Sequence, residues 1–255
     1  MYPSDLTDKQ WNLIKKHFER PDPRGAKSKN SKRLIVNGIF YIVKGGIPLR
    51  MLLNDFLNWK TVYDHFRRLK QRDIWNIILH TLRKTSRLKA GKRADPSYAI
   101  IDAQSVKTIH RGKDRGFDGG KKIKGRKRHV SVDTMGNLLY IKVHSAAMSD
   151  TIAGRDITYQ TFKNHSSVRA FCADQGYRKT TKNFVQNILK MRIDITAKPS
   201  KSKGFNVIPK RWAVERFFAW LGNYRRLSKD YEILAISAEQ MVIIASVMML
   251  LKKIV

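Results

Sequence analysis

Apolar residues recur at helical spacing over the first ninety positions and then change to short continuous runs punctuated by Gly, Asp and Asn. In the first part, Leu6-Thr7-Asp8-Lys9-Gln10-Trp11 opens a helix. Thr7 and Gln10 have capping-box spacing, and Trp11, Ile14 and Phe18 share one face before Pro21 and Pro23 stop it. Residues 24–32 form a basic, polar connector. A second helix is predicted over 32–44, apolar at Leu34, Ile35, Ile39, Ile42 and Val43, and broken by Gly45-Gly46-Ile47-Pro48. Two more cover 59–71, with Tyr63, Phe66 and Leu69 inward, and 74–88, with Trp75, Ile78 and Leu82 inward. Short helices, tight turns and a basic outer face (Arg67, Arg68, Lys70, Arg72) suggest a helix-turn-helix-like unit.

After residues 89–96, which have no periodicity, the β-branched run 98–101 reads as a buried strand ending at Asp102. A Gly-rich basic loop is expected over 104–127, then an antiparallel hairpin pairing 128–133 with 138–144. Asp150 is placed as the N-cap of a helix beginning near Thr151. A second apolar strand ends at Asp174, followed by a helix over 180–190, a strand over 192–197, a polar loop over 198–206, a helix around Glu215 and an apolar helix over 237–255. This order suits an α/β layer with a mixed sheet and the first strand central. The expected organisation is a helical domain, 1–90, a linker, 91–96, and an α/β domain, 97–255.

Charge sharpens the picture. The chain has 52 Lys and Arg against 20 Asp and Glu, a formal net charge of +32, which calls for a polyanionic partner, nucleic acid first. From Gln104 to Val130, ten Lys or Arg face only Asp114 and Asp118. Glycines there let a backbone approach phosphate while lysines neutralise it. Cys172 is the only cysteine, which excludes internal disulfides and cysteine-based zinc sites, and the seven histidines lack ligand-like spacing. With no signal peptide and an apolar run, 241–251, too short for a bilayer, the expectation is a soluble cytoplasmic protein without a membrane partner. The last helix reads as core, with a dimer contact as its rival.

Three carboxylates stand out against this basic background. Asp102 and Asp174 each end an apolar strand, and Glu215 lies on the aromatic-rich helix Arg211-Trp212-Ala213-Val214-Glu215-Arg216-Phe217-Phe218. A buried carboxylate is costly unless paired or bound to metal, and three together suit a hard cation such as Mg²⁺. Each also has a structural alternative: Asp102 in a turn, Asp174 as turn chemistry before Gln175-Gly176, and Glu215 paired with Arg211.

The residues resemble the DDE transposases of bacterial insertion sequences, specifically the insertion-sequence family-five group. The resemblance rests on Leu6-Thr7-Asp8-x-x-Trp11 and Phe56-x-x-Trp59-x-Thr61-Val62-Tyr63, on Ile101-Asp102-Ala103-Gln104-Ser105, and on Gly119-Gly120-Lys121-Lys122-Ile123-Lys124-Gly125-Arg126-Lys127-Arg128-His129. Ala173-Asp174-Gln175-Gly176-Tyr177 and the segment from Arg211 to Glu232 complete it. A sister family's Tyr-x2-Arg-x3-Glu-x6-Lys signature is met at Arg211 and Glu215, with Ile208 and Gly222 at its Tyr and Lys positions, so Arg225, Arg226 or Lys229 is left to supply the cation. The resemblance implies a ribonuclease-H-like fold. It also implies catalytic Asp102, Asp174 and Glu215 holding two Mg²⁺, with Mn²⁺ able to substitute. The implied partners are double-stranded DNA, as inverted repeats and target, and further copies of the chain on that DNA. Lys107, Lys121, Lys122, Lys124, Arg126, Lys127 and Arg128 become the expected DNA contacts, joined by Arg67, Arg68, Arg211, Arg225 and Arg226. A DNA-binding protein with decayed chemistry, and a nuclease without strand transfer, are the rival functions.

Overall fold

The structure is a computed structural model that describes residues 1–19, 30–196 and 210–255. The expected loop over 198–206 and position 208 lie outside the described residues, as does most of the 24–32 connector. Four helices come first: α1 (Asp8–Ile14), α2 (Lys32–Gly45), α3 (Trp59–Gln71) and α4 (Ile74–Lys89). The Thr7–Gln10 capping box forms in both directions, and a short 3-10 turn carries the chain on to Phe18. Gly46 ends α2 in a left-handed conformation with φ 77°. A Cβ there would also lie 2.9 Å from that of Arg225, so glycine answers both a backbone and a packing demand.

The remaining elements are β1 (Tyr98–Lys107), β2 (Gly116–Asp118), β3 (Ile123–Val132), β4 (Leu138–Ser145), α5 (Asp150–Asn164), β5 (Ala170–Asp174), α6 (Thr180–Asn187), β6 (Arg192–Thr196), α7 (Trp212–Leu221) and α8 (Ala235–Ile254). The sheet runs β2-β3-β1-β5-β6, and β4 pairs β3 further along. β1 is antiparallel to β3 and parallel to β5, and β5 is parallel to β6. This mixed sheet with helices on both faces is a ribonuclease-H-like fold, as expected, with β1 central.

Two expected boundaries change. β1 does not stop at Asp102 but continues to Lys107, because Asp102 to Lys107 keep a ladder with β3 while pairing to β5 extends only to Ile100↔Cys172. The expected basic loop is accordingly half strand, with β1 running to Lys107, β2 inside it and β3 beginning at Ile123. Asp150 does not cap α5: Ser149 takes that place without a side-chain bond, and the Asp150 carboxylate instead pairs with Lys127 Nζ at 2.9 Å.

The period-two alternation of each strand sorts the core into two layers. Ile100, Val130, Val132 and Cys172 face α7 and α8, whereas Ala99, Ile101, Phe171 and Ala173 face α5 and α6. The first layer is continuous with the N-terminal helices, sharing one cluster with Ile35, Val43, Trp75, Ile78 and Leu82. Its axis is α8, 20 residues long and apolar enough to cross a membrane, longer than the apolar run alone indicated. Most of that helix is buried among the other elements, which makes it the core helix it was expected to be.

Candidate active site

Asp102 and Asp174 belong to neighbouring parallel strands. The register Ile100↔Cys172, continued by two residues, sets them side by side on the face toward α7. Asp102 Oδ1 accepts the Ala103 N–H at 2.8 Å. Asp174 Oδ1 accepts the Gly176 N–H at 2.9 Å, closing the single 3-10 turn Gln175–Tyr177. The turn alternative for Asp174 is thus real, and it leaves Oδ2 available. The third acid arrives on α7, whose Val214, Phe217 and Leu221 pack into the core and set its rotation. Arg211 and Glu215, one turn apart, then look toward Asp102. Arg211 Nη2 lies 3.4 Å from Asp102 Oδ2 and 3.4 Å from Glu215 Oε1, bridging the strand acid to the helix acid.

Electrostatics mark Asp102 as the unusual member. Burial foremost pushes its carboxyl up to about 6, opposed by the Arg211 guanidinium and the Ala103 N–H and reinforced by Asp174. A carboxylate both desolvated and repelled by its neighbour is stabilised by a nearby cation. Lys121 contributes: its Nζ donates to the Ala103 carbonyl at 3.1 Å, bringing the β2–β3 tip to the acids. Its charge also favours the ionised Asp102, whereas Arg226 is engaged with Glu232 at 2.7 Å and with the Ile47 carbonyl at 3.1 Å. The acids' oxygen donors and the mutual strain of Asp102 and Asp174 fit a hard divalent ion. Among the described residues no three acid, imidazole or thiol side chains converge closely enough to hold one; Arg211 occupies the space between Asp102 and Glu215.

The expected DNA contacts divide by strand geometry. Lys107, Lys121, Lys122 and Lys124 are exposed around the β1 end and the β2–β3 tip, and Arg67, Arg68 and Arg225 are exposed as well. Arg126, Lys127 and Arg128 are buried, which corrects their assignment to a DNA-facing loop. Because β3 is extended, Arg126 and Arg128 point to the α7 face and Lys127 to the α5 face, and both faces are covered. Arg126 pairs with Asp230 at 2.8 Å and donates to the Lys113, Glu232 and Ile233 carbonyls. Arg128 donates to the Leu227 carbonyl at 2.8 Å, and Lys127 meets Asp150 and the Met148 carbonyl at 2.9 Å each. Arg211 likewise is spent on the acids rather than presented to solvent. Sequence reasoning missed Asp230 and Asp118 as partners of this basic run. Asp118 takes the Ser105 hydroxyl at 2.5 Å and two backbone N–H groups, which hold its carboxyl below the usual range against the opposing cost of burial.

A sheet of this topology, with acids on its two central parallel strands and a third on the helix covering them, defines the ribonuclease-H-like class of enzymes acting on polynucleotide backbones. Within that class the chain belongs to the DDE-domain transposases. Residues 93–250 match the family described as Transposase DDE domain, and residues 6–79 match Putative transposase of IS4/5 family. No curated protein and no solved structure matches the chain.

Proposed function

We propose that this transposase binds the terminal inverted repeats of its own insertion sequence, cleaves the DNA ends and joins the 3′ ends to target DNA. Asp102, Asp174 and Glu215 are its catalytic acids. The observation that carries this reading is the register-matched placement of Asp102 and Asp174 on one sheet face, tied by Arg211 to Glu215. Asp102 and Asp174 would hold the first Mg²⁺ or Mn²⁺ and Glu215 would complete a two-ion site. Such ions, when bound, activate the attacking oxygen and stabilise the leaving one. The chain supplies the rest. Asp102 must be ionised to serve, Arg211 must release the two oxygens it bridges, and the exposed Lys107, Lys121, Lys122 and Lys124 neutralise the phosphates on either side of the scissile bond. Residues 1–90, with Arg67 and Arg68 outward on α3, would recognise the repeat. Residues 91–96 would join them to the catalytic residues 97–255, and pairing of two ends would bring two or more copies together on the DNA.

The test is incubation of the purified chain with DNA carrying the element's ends and Mg²⁺, in parallel with Asp102→Asn, Asp174→Asn and Glu215→Gln. Nicked and joined products from the wild type, absent from all three variants while gel shifts persist, are expected. Metal-independent binding with no cleavage by the wild type would establish the non-catalytic alternative, and nicking without joined products would establish a plain nuclease.

A further inference from the structure

On the α5 side of the sheet, three side chains are hydrogen-bonded in series just behind the acids. Tyr177 Oη lies 2.7 Å from His129 Nε2, His129 Nδ1 lies 3.3 Å from His144 Nε2, and His144 Nδ1 lies 2.9 Å from the Ser145 carbonyl oxygen. Tyr177 and His129 are fully buried and His144 nearly so. Burial holds both imidazoles below their usual range, so both are neutral at pH 7. The chain then has one arrangement of protons. A carbonyl only accepts, so His144 carries its proton on Nδ1 and accepts at Nε2. His129 must therefore donate from Nδ1 and accept at Nε2, and the phenol must be the donor to it. Every hydrogen in the series points away from Tyr177.

Tyr177 is also the last residue of the turn that Asp174 begins. Its ring rests on Gly154 of α5, where an added Cβ would come within 2.7 Å of the ring, so the helix gives up a side chain to seat it. The hydroxyl lies within electrostatic reach of Asp102, Asp150 and Asp174. His129 sits opposite Ala103, the residue after Asp102, in the β1–β3 ladder. The Tyr177–His129 bond thus straps the turn carrying Asp174, across β1, to β3.

We propose that Tyr177, His129 and His144 are a positioning relay that holds Asp174 beside Asp102, where the two can take a divalent cation. The idea rests on the metal-dependent reading above. A buried phenol beside carboxylates must find an acceptor, because leaving it unpaired is costly. His129 is that acceptor, and the bond holds the turn that carries Asp174 to β3. Anchoring His129 through His144 to the Ser145 carbonyl fixes the tautomer that can accept, much as partners behind metal ligands orient them.

The experiment is a Mn²⁺ titration of the full-length chain followed by thermal melting, with cleavage measured alongside. Wild type should be stabilised by Mn²⁺ through mass action, and Asp174→Asn should lose that response. Tyr177→Phe should need about tenfold more Mn²⁺ for half the effect, the lower end of what such supporting partners contribute. It should regain cleavage at saturating Mn²⁺ and shift DNA as wild type does without metal. His144→Gln, at the outer end of the series, should move the same way but less, and it carries the test if Tyr177→Phe does not fold. Side-chain ¹⁵N spectra should show Nδ1–H on both histidines. Superimposable Mn²⁺ titrations of wild type and Tyr177→Phe, or of wild type and His144→Gln where only that variant folds, would overturn the relay, as would an Nε2–H tautomer at His144. A wild type indifferent to Mn²⁺, matching Asp174→Asn, would overturn the metal reading itself and the relay with it.

Discussion

Asp102→Asn should abolish cleavage and yet make the metal-free protein more stable. Burial foremost pushes the carboxyl up to about 6 in the folded chain, against an unperturbed 3.8. Between those values the native state keeps a proton that the unfolded chain has lost, so stability falls as pH rises through that window and the full penalty is present above it. Two pH units at 1.36 kcal/mol each put the penalty at about 3 kcal/mol, with the attraction of Arg211 already included. Asparagine keeps the shape and the acceptor for the Ala103 N–H but has no charge to desolvate. Allowing for its imperfect fit beside Arg211, a gain of about 1–3 kcal/mol is expected at pH 7.5 in EDTA, or roughly 2–10 °C in Tm for a chain of this size. Urea and thermal melts should show the gain shrinking toward pH 4.5, where the native Asp102 is itself protonated, and saturating Mn²⁺ should close the gap by stabilising wild type alone. An Asn variant no more stable than wild type at pH 7.5 in EDTA would refute the claim that Asp102 is a charge whose desolvation Arg211 only partly offsets.

Binding of terminal-repeat DNA should weaken steeply with salt. Neutralising about six phosphates gives a slope near −5 in log K against log salt, and Lys122→Ala with Lys124→Ala should flatten it by roughly one unit for each phosphate no longer neutralised. Arg126→Ala, by contrast, should destabilise folding by about 3–5 kcal/mol, read as a lower urea midpoint, because it strands buried Asp230 and three carbonyls. Glu215→Gln should cut DNA orders of magnitude more slowly while still binding it. Cleavage at the wild-type rate would remove Glu215 from the site, although Glu232 and Glu239 are already engaged by Arg226 and by the Val143 N–H. Gly125→Ala should prevent folding, detected as insoluble or protease-sensitive chain, since a Cβ would fall 1.9 Å from the Val106 carbonyl oxygen.

Much of this arrangement was legible because helices and buried strands write their faces into the sequence. The α3 limits coincide with the expected span, α2 and α4 extend only one residue further, and the central place of β1 followed from the order of elements. What failed to show was polar structure. Gln104-Ser105-Val106-Lys107 reads as loop by composition, yet the ladder with β3 makes it strand. Arg126-Lys127-Arg128-His129 reads as a solvent-facing basic run, yet period-two alternation sends its members to opposite covered faces, each satisfied by residues remote in sequence such as Asp230 and Tyr177. The signal available was the spacing itself: a charge run flanked by Gly125 and Val130-Ser131-Val132 continues the strand and so cannot all face water. Asp150 was misplaced for the same reason, since its partner Lys127 is 23 residues away.

Arg211 is the residue whose role most changes once the acids are seen together. Its Nη2 is 3.4 Å from both Asp102 Oδ2 and Glu215 Oε1, its side chain is largely buried, and its Nε has no partner. Distances of 3.4 Å are long for charge-assisted hydrogen bonds, so the guanidinium neutralises the acids without gripping either. A divalent ion would need the same two oxygens. Arg211 therefore stabilises the metal-free protein and opposes the ion that replaces it. Arg211→Gln separates these effects. Without metal at pH 7.5, the half-buried carboxylates lose their counter-charge and folding stability should fall by about 1–3 kcal/mol. In the same variant, half-saturation by Mn²⁺ should come at a lower concentration, because the competing cation is gone and the repulsion between the acids is unrelieved. Melting curves across a Mn²⁺ series read both quantities at once. A variant that is less stable without metal and also binds Mn²⁺ more weakly would show that Arg211 builds the site instead of competing for it.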